Sequence, residues 1–208
     1  DTGGRPLGMN FDVGGNLIVA DAKKGLLSID SGGAVKILTD SVDGERMIFV
    51  DDLAIGRDGM IYFSDASTRH AYGTDLLEIY EGRPTGRLVS YNPATNETRV
   101  LLDKLYFANG VALSQDEDFI LVNETFRARI TRYWLRGEKA GTHEVFIDRL
   151  PGFPDNITEA PDGGFWLALP GPRTELIDAL IPSPFARKIA WRIFNLGISP
   201  VEQHSWAV

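Results

Sequence analysis

The sequence predicts an all-β fold: a β-propeller holding about four blades of a six-bladed ring, with short helical insertions. Four segments superpose on their Asp/Gly turns, PLGMNFDVGGNLIVAD from Pro6, VDDLAIGRDGMIYFSD from Val50, ANGVALSQDEDFILVNE from Ala108 and PDNITEAPDGGFWLAL from Pro154. Each joins an apolar run to a β-rich run across a turn, which is a hairpin signal. The unit recurs every ~45–60 residues, the spacing of radially repeated folds whose blades carry four short antiparallel strands.

The elements follow in order. In the first repeat the hairpin at Val13–Asn16 leads to Leu17-Ile18-Val19, with further strands expected at 25–29 and 34–38. The second has its turn at Arg57-Asp58-Gly59, a strand at 60–63, and outer strands at 86–91 and 98–102. The third turns at 115–118, continues through 119–122, and adds strands at 128–134 and 144–147. The fourth turns at 161–164 into Phe165-Trp166-Leu167. Trp134 and Trp166 sit at strand positions and are read as packing residues. The blades are expected at about 5–40, 50–104, 107–148 and 153–208, in one propeller domain. Arg5 already opens a repeat and residues 204–208 read as half of another strand, so an incomplete ring is expected. Its open strand edges predict self-association.

Two insertions interrupt the pattern. Residues 67–84 carry Arg69, His70 and a helix-like run at 75–80. Residues 174–196 place Ile177, Leu180, Ile181, Ile189 and Ile193 at helical spacing, broken by Pro182 and Pro184. A pair of short amphipathic helices capping the ring is the expectation.

Composition narrows the chemistry. At 208 residues and 43% hydrophobic content the chain can bury a core. A net charge of −8 without a basic stripe argues against nucleic acid. No apolar run reaches the ~18 residues of a transmembrane helix. With no cysteine and three scattered histidines, thiolate, zinc and iron sites are excluded or disfavoured. Against that background two columns of the repeat stand out. Leu7, Asp51, Asn109 and Asp155 fall in one, and Gly8, Asp52, Gly110 and Asn156 in the next. Asp and Asn are common turn residues at strand starts. Here they recur in register at positions that converge on the ring axis, where carboxylate and amide oxygens suit a hard cation such as calcium.

Several longer motifs carry a resemblance. Arg5-Pro6-Leu7-Gly8, the run from Gly86 to Pro93, Phe107 to Ser114, Arg129 to Gly137, and Pro151 to Ile157 resemble the strictosidine synthase-like family, nearest its adipocyte plasma membrane-associated branch. The wider superfamily includes the paraoxonases, fluorophosphatases and gluconolactonases, which are six-bladed calcium propellers. The resemblance implies Asp51, Asn109, Asp155 and Asn156 as calcium ligands, with Asp155 also nucleophile or general base. It implies an ester or lactone hydrolase acting on a small molecule. Arg69 and His70, in the first insertion, are the candidate substrate-binding residues. Leu7 replaces the paraoxonase-branch histidine, and a family ligand glutamate would lie upstream of Asp1. True synthases carry Gly where this chain has Asn109 and a catalytic glutamate that would lie beyond Val208. The alternatives are therefore a metal-independent amine–aldehyde condensing enzyme and a non-catalytic scaffold.

Overall fold

Three four-stranded antiparallel blades and the inner hairpin of a fourth make up the computed structural model, which describes residues 1–195. Blade one is β1 (Pro6–Phe11), β2 (Leu17–Asp21), β3 (Gly25–Ile29) and β4 (Val35–Thr39), ordered as in the chain. A small hairpin, β5 (Ser41–Val42) and β6 (Glu45–Arg46), follows it. Blade two is β7 (Val50–Ile55), β8 (Ile61–Asp65), β9 (Gly86–Asn92) and β10 (Glu97–Leu105), with the short helix α1 (Leu77–Glu81) inserted after β8. Blade three is β11 (Ala108–Leu113), β12 (Phe119–Glu124), β13 (Arg129–Trp134) and β14 (His143–Ile147). The fourth hairpin is β15 (Ile157–Glu159) and β16 (Phe165–Leu167), followed by α2 (Glu175–Leu180) and α3 (Pro184–Asn195). The strand expected at 204–208 lies outside the described residues.

The hairpin turns share one left-handed position, occupied by Gly15 (φ 80°), Gly59 (φ 82°), Glu117 (φ 58°) and Gly163 (φ 81°). A glutamate there pays a steric cost that glycine avoids. Glu117 offsets it across the blade boundary, because its carboxylate accepts the Arg57 backbone N–H at 2.8 Å and lies 3.4 Å from Arg136.

The core lies between blades. Ile18, Leu26, Phe63 and Tyr91 pack between the first and second blades. Leu88, Val111, Ile120 and Val122 pack between the second and third, and Leu121, Ile130, Leu150 and Ile157 between the third and fourth. β12 therefore buries both faces, sending alternate side chains to opposite neighbours. Each fully buried side chain of this kind contributes roughly 1.5–3 kcal/mol. Trp134 packs edge-on against Phe119 at 5.4 Å. Trp166 corrects the sequence expectation: it is 68% exposed, because it stands on the outer face of a hairpin against which no further sheet packs among the described residues.

The two insertions meet each other. Arg187 of α3 is buried and donates to the carbonyl oxygens of Tyr80 (3.1 Å), Leu180 (3.4 Å) and Ile181. Ile177 and Leu180 are buried, whereas Ile189 and Ile193 face outward, so only part of the expected apolar face is covered. No helix among the described residues is long and apolar enough to cross a membrane.

Candidate metal centre

The two Asp/Asn columns coincide with a β-bulge repeated in every blade. In β1 the register against β2 slips between Pro6 and Met9, in β7 between Val50 and Leu53, and in β11 between Ala108 and Val111. In the fourth hairpin the Asp155 N–H donates to the Ala168 carbonyl, and the Ala168 N–H to the Asn156 carbonyl, so two residues again face one. A bulge inserts one unpaired residue and turns neighbouring side chains away from strict alternation. Adjacent residues such as Asp51 and Asp52 can then both point inward. Contacts of β7 with β1 and β11, and of β11 with β15, bring the four bulges together around one axis.

The bulges touch because the second column holds glycine in two blades, at Gly8 and Gly110. A Cβ on Gly110 would lie 2.4 Å from the Asp155 carbonyl oxygen and 2.6 Å from the Ile157 nitrogen, both backbone atoms. The Gly110 N–H uses that closeness to donate to the Asp155 carbonyl at 3.1 Å. A Cβ on Gly8 would likewise fall 2.7 Å from the Asp52 Cα.

The predicted residues divide into two groups. Asp51 and Asn109 are buried and Asp155 is half-buried. The Asn109 side chain lies near enough to the Asp155 carboxyl to lower its pKa, while its own Oδ1 is buried without a partner. Asp52 and Asn156 form the second group: the Asn156 amide helps to lower the Asp52 carboxyl pKa, and Asp52 Oδ2 accepts the Val111 N–H at 3.0 Å. These two line an axial cavity of about 620 Å³, walled by β1, β7, β11 and β15. Asn156 therefore lies on the cavity side, next in the chain to Asp155 and near enough to Asp52 to lower its carboxyl pKa.

The electrostatics are unbalanced. Burial pushes the Asp51 carboxyl well above the usual carboxylate range, and the charges of Asp155, Asp52 and Asp75 push it further. Burial raises Asp155, against the Asn109 hydrogen bond. Burial also raises Asp52, against the Val111 and Leu53 N–H groups and the Asn156 amide. Like charges at one site raise each other's pKa unless a cation intervenes. Among the described residues no three His, Cys, Asp or Glu side chains gather closely enough to hold a metal by themselves. A cation here would therefore need amide oxygen as well as carboxylate. Asn109 Oδ1, buried and unpartnered, supplies that donor type, so the residues fit calcium.

Arg69 and His70 sit elsewhere, on the first insertion. Arg69 forms an exposed ion pair with Glu81 at 2.5 Å, and His70 Nε2 lies 3.4 Å from the same carboxylate. Neither lines the axial cavity. The insertion does reach the centre electrostatically, through Asp75 acting on Asp51.

A second set of acids is a feature that the sequence reading passed over. Asp21, Asp65 and Glu124 end the second strand of their blades, each fully buried. They accept the backbone N–H of Arg5 (2.8 Å), Phe49 (3.3 Å) and Tyr106 (2.9 Å), the residues leading into each inner strand. Asp65 also pairs with Arg87 at 2.6 Å, and Glu124 with Arg129 at 2.7 Å. The signal was present, since an acid closes each of the first three repeat segments.

Comparison with known proteins agrees with this architecture. Residues 51–138 match the family model described as strictosidine synthase. Strictosidine synthase-like protein 7 of Arabidopsis thaliana is 41% identical over 199 residues, 95% of this chain and 53% of that protein. The adipocyte plasma membrane-associated protein of Rattus norvegicus is 42% identical over 203 residues, 93% of this chain and 54% of its own length. Among solved structures, a gluconolactonase from Xanthomonas campestris superposes with a TM-score of 0.64 at 21% identity, covering 79% of this chain and 56% of that one. The calcium-binding protein regucalcin of Agrobacterium tumefaciens gives 0.57 at 16% identity, covering 79% and 53%. At such identities the structures establish the fold alone, that of six-bladed propellers of which this chain forms a part. The chain spans about half the length of the curated relatives it matches. Over the stretch it covers, the chain belongs to the strictosidine synthase-like family of β-propellers.

Proposed function

We propose that the chain carries part of the calcium centre of a propeller hydrolase acting on small esters or lactones. The observation that carries the reading is the buried, unpartnered Asn109 Oδ1 beside carboxylates whose burial and mutual charge raise the Asp51 pKa. Asp51, Asn109 and Asp155 would hold the ion, with Asn156 joining from the cavity side. A bound calcium would polarise the carbonyl oxygen of the substrate. Asp155 is the half-buried member, open enough to meet substrate and to serve there as general base. Its role is to take the proton from an attacking water. Arg69 and His70, on the insertion whose Asp75 is felt at the centre, would contact the distal part of the substrate.

The test is calcium titration by calorimetry, with Asp155→Ala as control, alongside phenyl acetate hydrolysis with and without chelator. The expected result is saturable binding lost in the variant and turnover abolished by chelator. A folded sample that neither binds calcium nor hydrolyses the ester would discard this reading. Amine–aldehyde condensation or a non-catalytic scaffold would then be the readings to pursue.

A further inference from the structure

Asp155 does not hold its own backbone in place; blade three does. Asn123 of β12 is fully buried, and its Nδ2 donates to the Asp155 carbonyl oxygen at 2.5 Å. Two residues on, the Thr125 hydroxyl donates to the Pro154 carbonyl at 2.8 Å. With the Gly110 N–H, blade three thus fixes two successive carbonyls of the segment that carries the candidate base. Glu124, between Asn123 and Thr125, turns the other way to Tyr106, Arg129 and Thr131.

The same strand position differs in the other blades. In blade one it is Ala20, which has no polar side chain. In blade two it is Ser64, whose Oγ accepts the Asp52 N–H of its own bulge at 3.0 Å. Only at blade three, among these three, is the side chain long enough to cross to the next blade. Asn123 does so at a cost, because its Oδ1 is buried and unpartnered. Asn123-Glu124-Thr125 also has the form of a glycosylation sequon. An asparagine that is 0% exposed with its amide nitrogen committed leaves no room for a glycan.

We propose that Asn123 and Thr125 are positioning residues for Asp155, fixing the two peptides that flank it, Pro154–Asp155 and Asp155–Asn156, so that the carboxylate is aimed at the metal centre. The inference rests on the calcium reading above. Fixing two consecutive carbonyls sets the backbone angles at Asp155 and hence the direction of its Cα–Cβ bond. Groups that orient a metal ligand typically alter affinity 10–100-fold when removed.

The test is calcium titration of the wild-type chain, Asn123→Ala, Thr125→Val, Thr125→Ser and a control, Ile120→Val, together with the excitation spectrum of europium bound in place of calcium. Ile120 lies in the core between blades two and three, so its truncation lowers stability without touching Asp155. The expected result is affinity lowered about 10–100-fold in Asn123→Ala and Thr125→Val, with an altered europium spectrum. Thr125→Ser keeps the hydroxyl and should restore both, and Ile120→Val should bind as wild type does. If folded Thr125→Val binds calcium like wild type with an unchanged spectrum, the positioning role is overturned while the calcium reading stands. Equal loss in Ile120→Val also overturns it, since mere destabilisation would then suffice. A wild-type chain that does not bind calcium overturns both.

Discussion

Two rings of polar side chains run through this molecule, an Asp/Asn column at the inner-strand bulges of blades two to four and a buried acid at the end of the neighbouring strand in blades one to three. Asp21, Asp65 and Glu124, at the strand ends, are surrounded by donors. Burial by itself would raise Asp21, yet the N–H groups of Arg5, Lys23 and Lys24 and the Thr2 hydroxyl bring its pKa below the ordinary value. Burial raises Asp65, and the Arg87 guanidinium opposes it. Asp51, in the bulge column, has no such help: every influence on it raises its pKa. A buried charge with matched donors builds a fold, whereas one opposed by its neighbours calls for a cation from outside. The contrast sets Asp51 apart from the strand-end acids without reference to any relative.

The largest expected effect breaks the scaffold ring. Glu124 accepts from Tyr106, Arg129 and Thr131 while fully buried. Glu124→Ala strands all three donors, and removing one partner of such a buried pair costs about 3–5 kcal/mol. Arg129 is partly exposed and can turn to water, so the lower end is expected. Urea denaturation of the metal-free chain measures it. A loss no larger than that of a surface substitution would show that the strand-end acids do not hold the blades.

The site ring should respond with the opposite sign. The Asp51 carboxyl is raised in the folded chain above its unfolded value of about 3.9. Between those two values the native state binds more protons than the unfolded one. The stability contributed by this group is therefore fully present below about pH 4 and is lost as pH rises through the folded pKa. Asp51→Asn removes the charge and should flatten that decline, so the metal-free chain gains stability at neutral pH. The same substitution should weaken calcium binding. Melting curves across pH 4–8 with chelator present check the first expectation; an unchanged slope would mean that Asp51 is not the strained group.

The sequence made one of these rings legible and left the other unread. The bulge columns emerged because Asp/Gly turns anchor the alignment, and from those anchors Asp51, Asn109 and Asp155 fall in register. The bulges themselves were invisible, since one extra residue in a short strand leaves the apolar count unchanged. Asn156 is a ligand candidate through the family resemblance, and the structure adds its neighbour Asp52, whose carboxyl its amide holds down. Asp21, Asp65 and Glu124 close their segments as plainly as the bulge residues open theirs. Their meaning depends on donors from the preceding loop, which no periodicity displays. Trp166 looked like core because aromatic strand residues usually are; its exposure depends on which sheets stand beside it.

The smallest effect concerns the insertion above the ring. Arg69 is exposed and its guanidinium pairs with Glu81, whose carboxyl is held low mainly by the Arg69 hydrogen bond and then by His70. Its backbone N–H is anchored independently by Ser67 Oγ at 3.0 Å. Exposed ion pairs add little to stability, so Arg69→Ala should leave the melting temperature unchanged. If Arg69 contacts substrate, KM for an ester with an anionic tail should rise while kcat holds, the sign of a contact made equally in ground and transition states. If neither moves, Arg69 belongs with the scaffold acids: its work is to hold Glu81 and the insertion in place, and selectivity lies in the cavity walled by the inner strands.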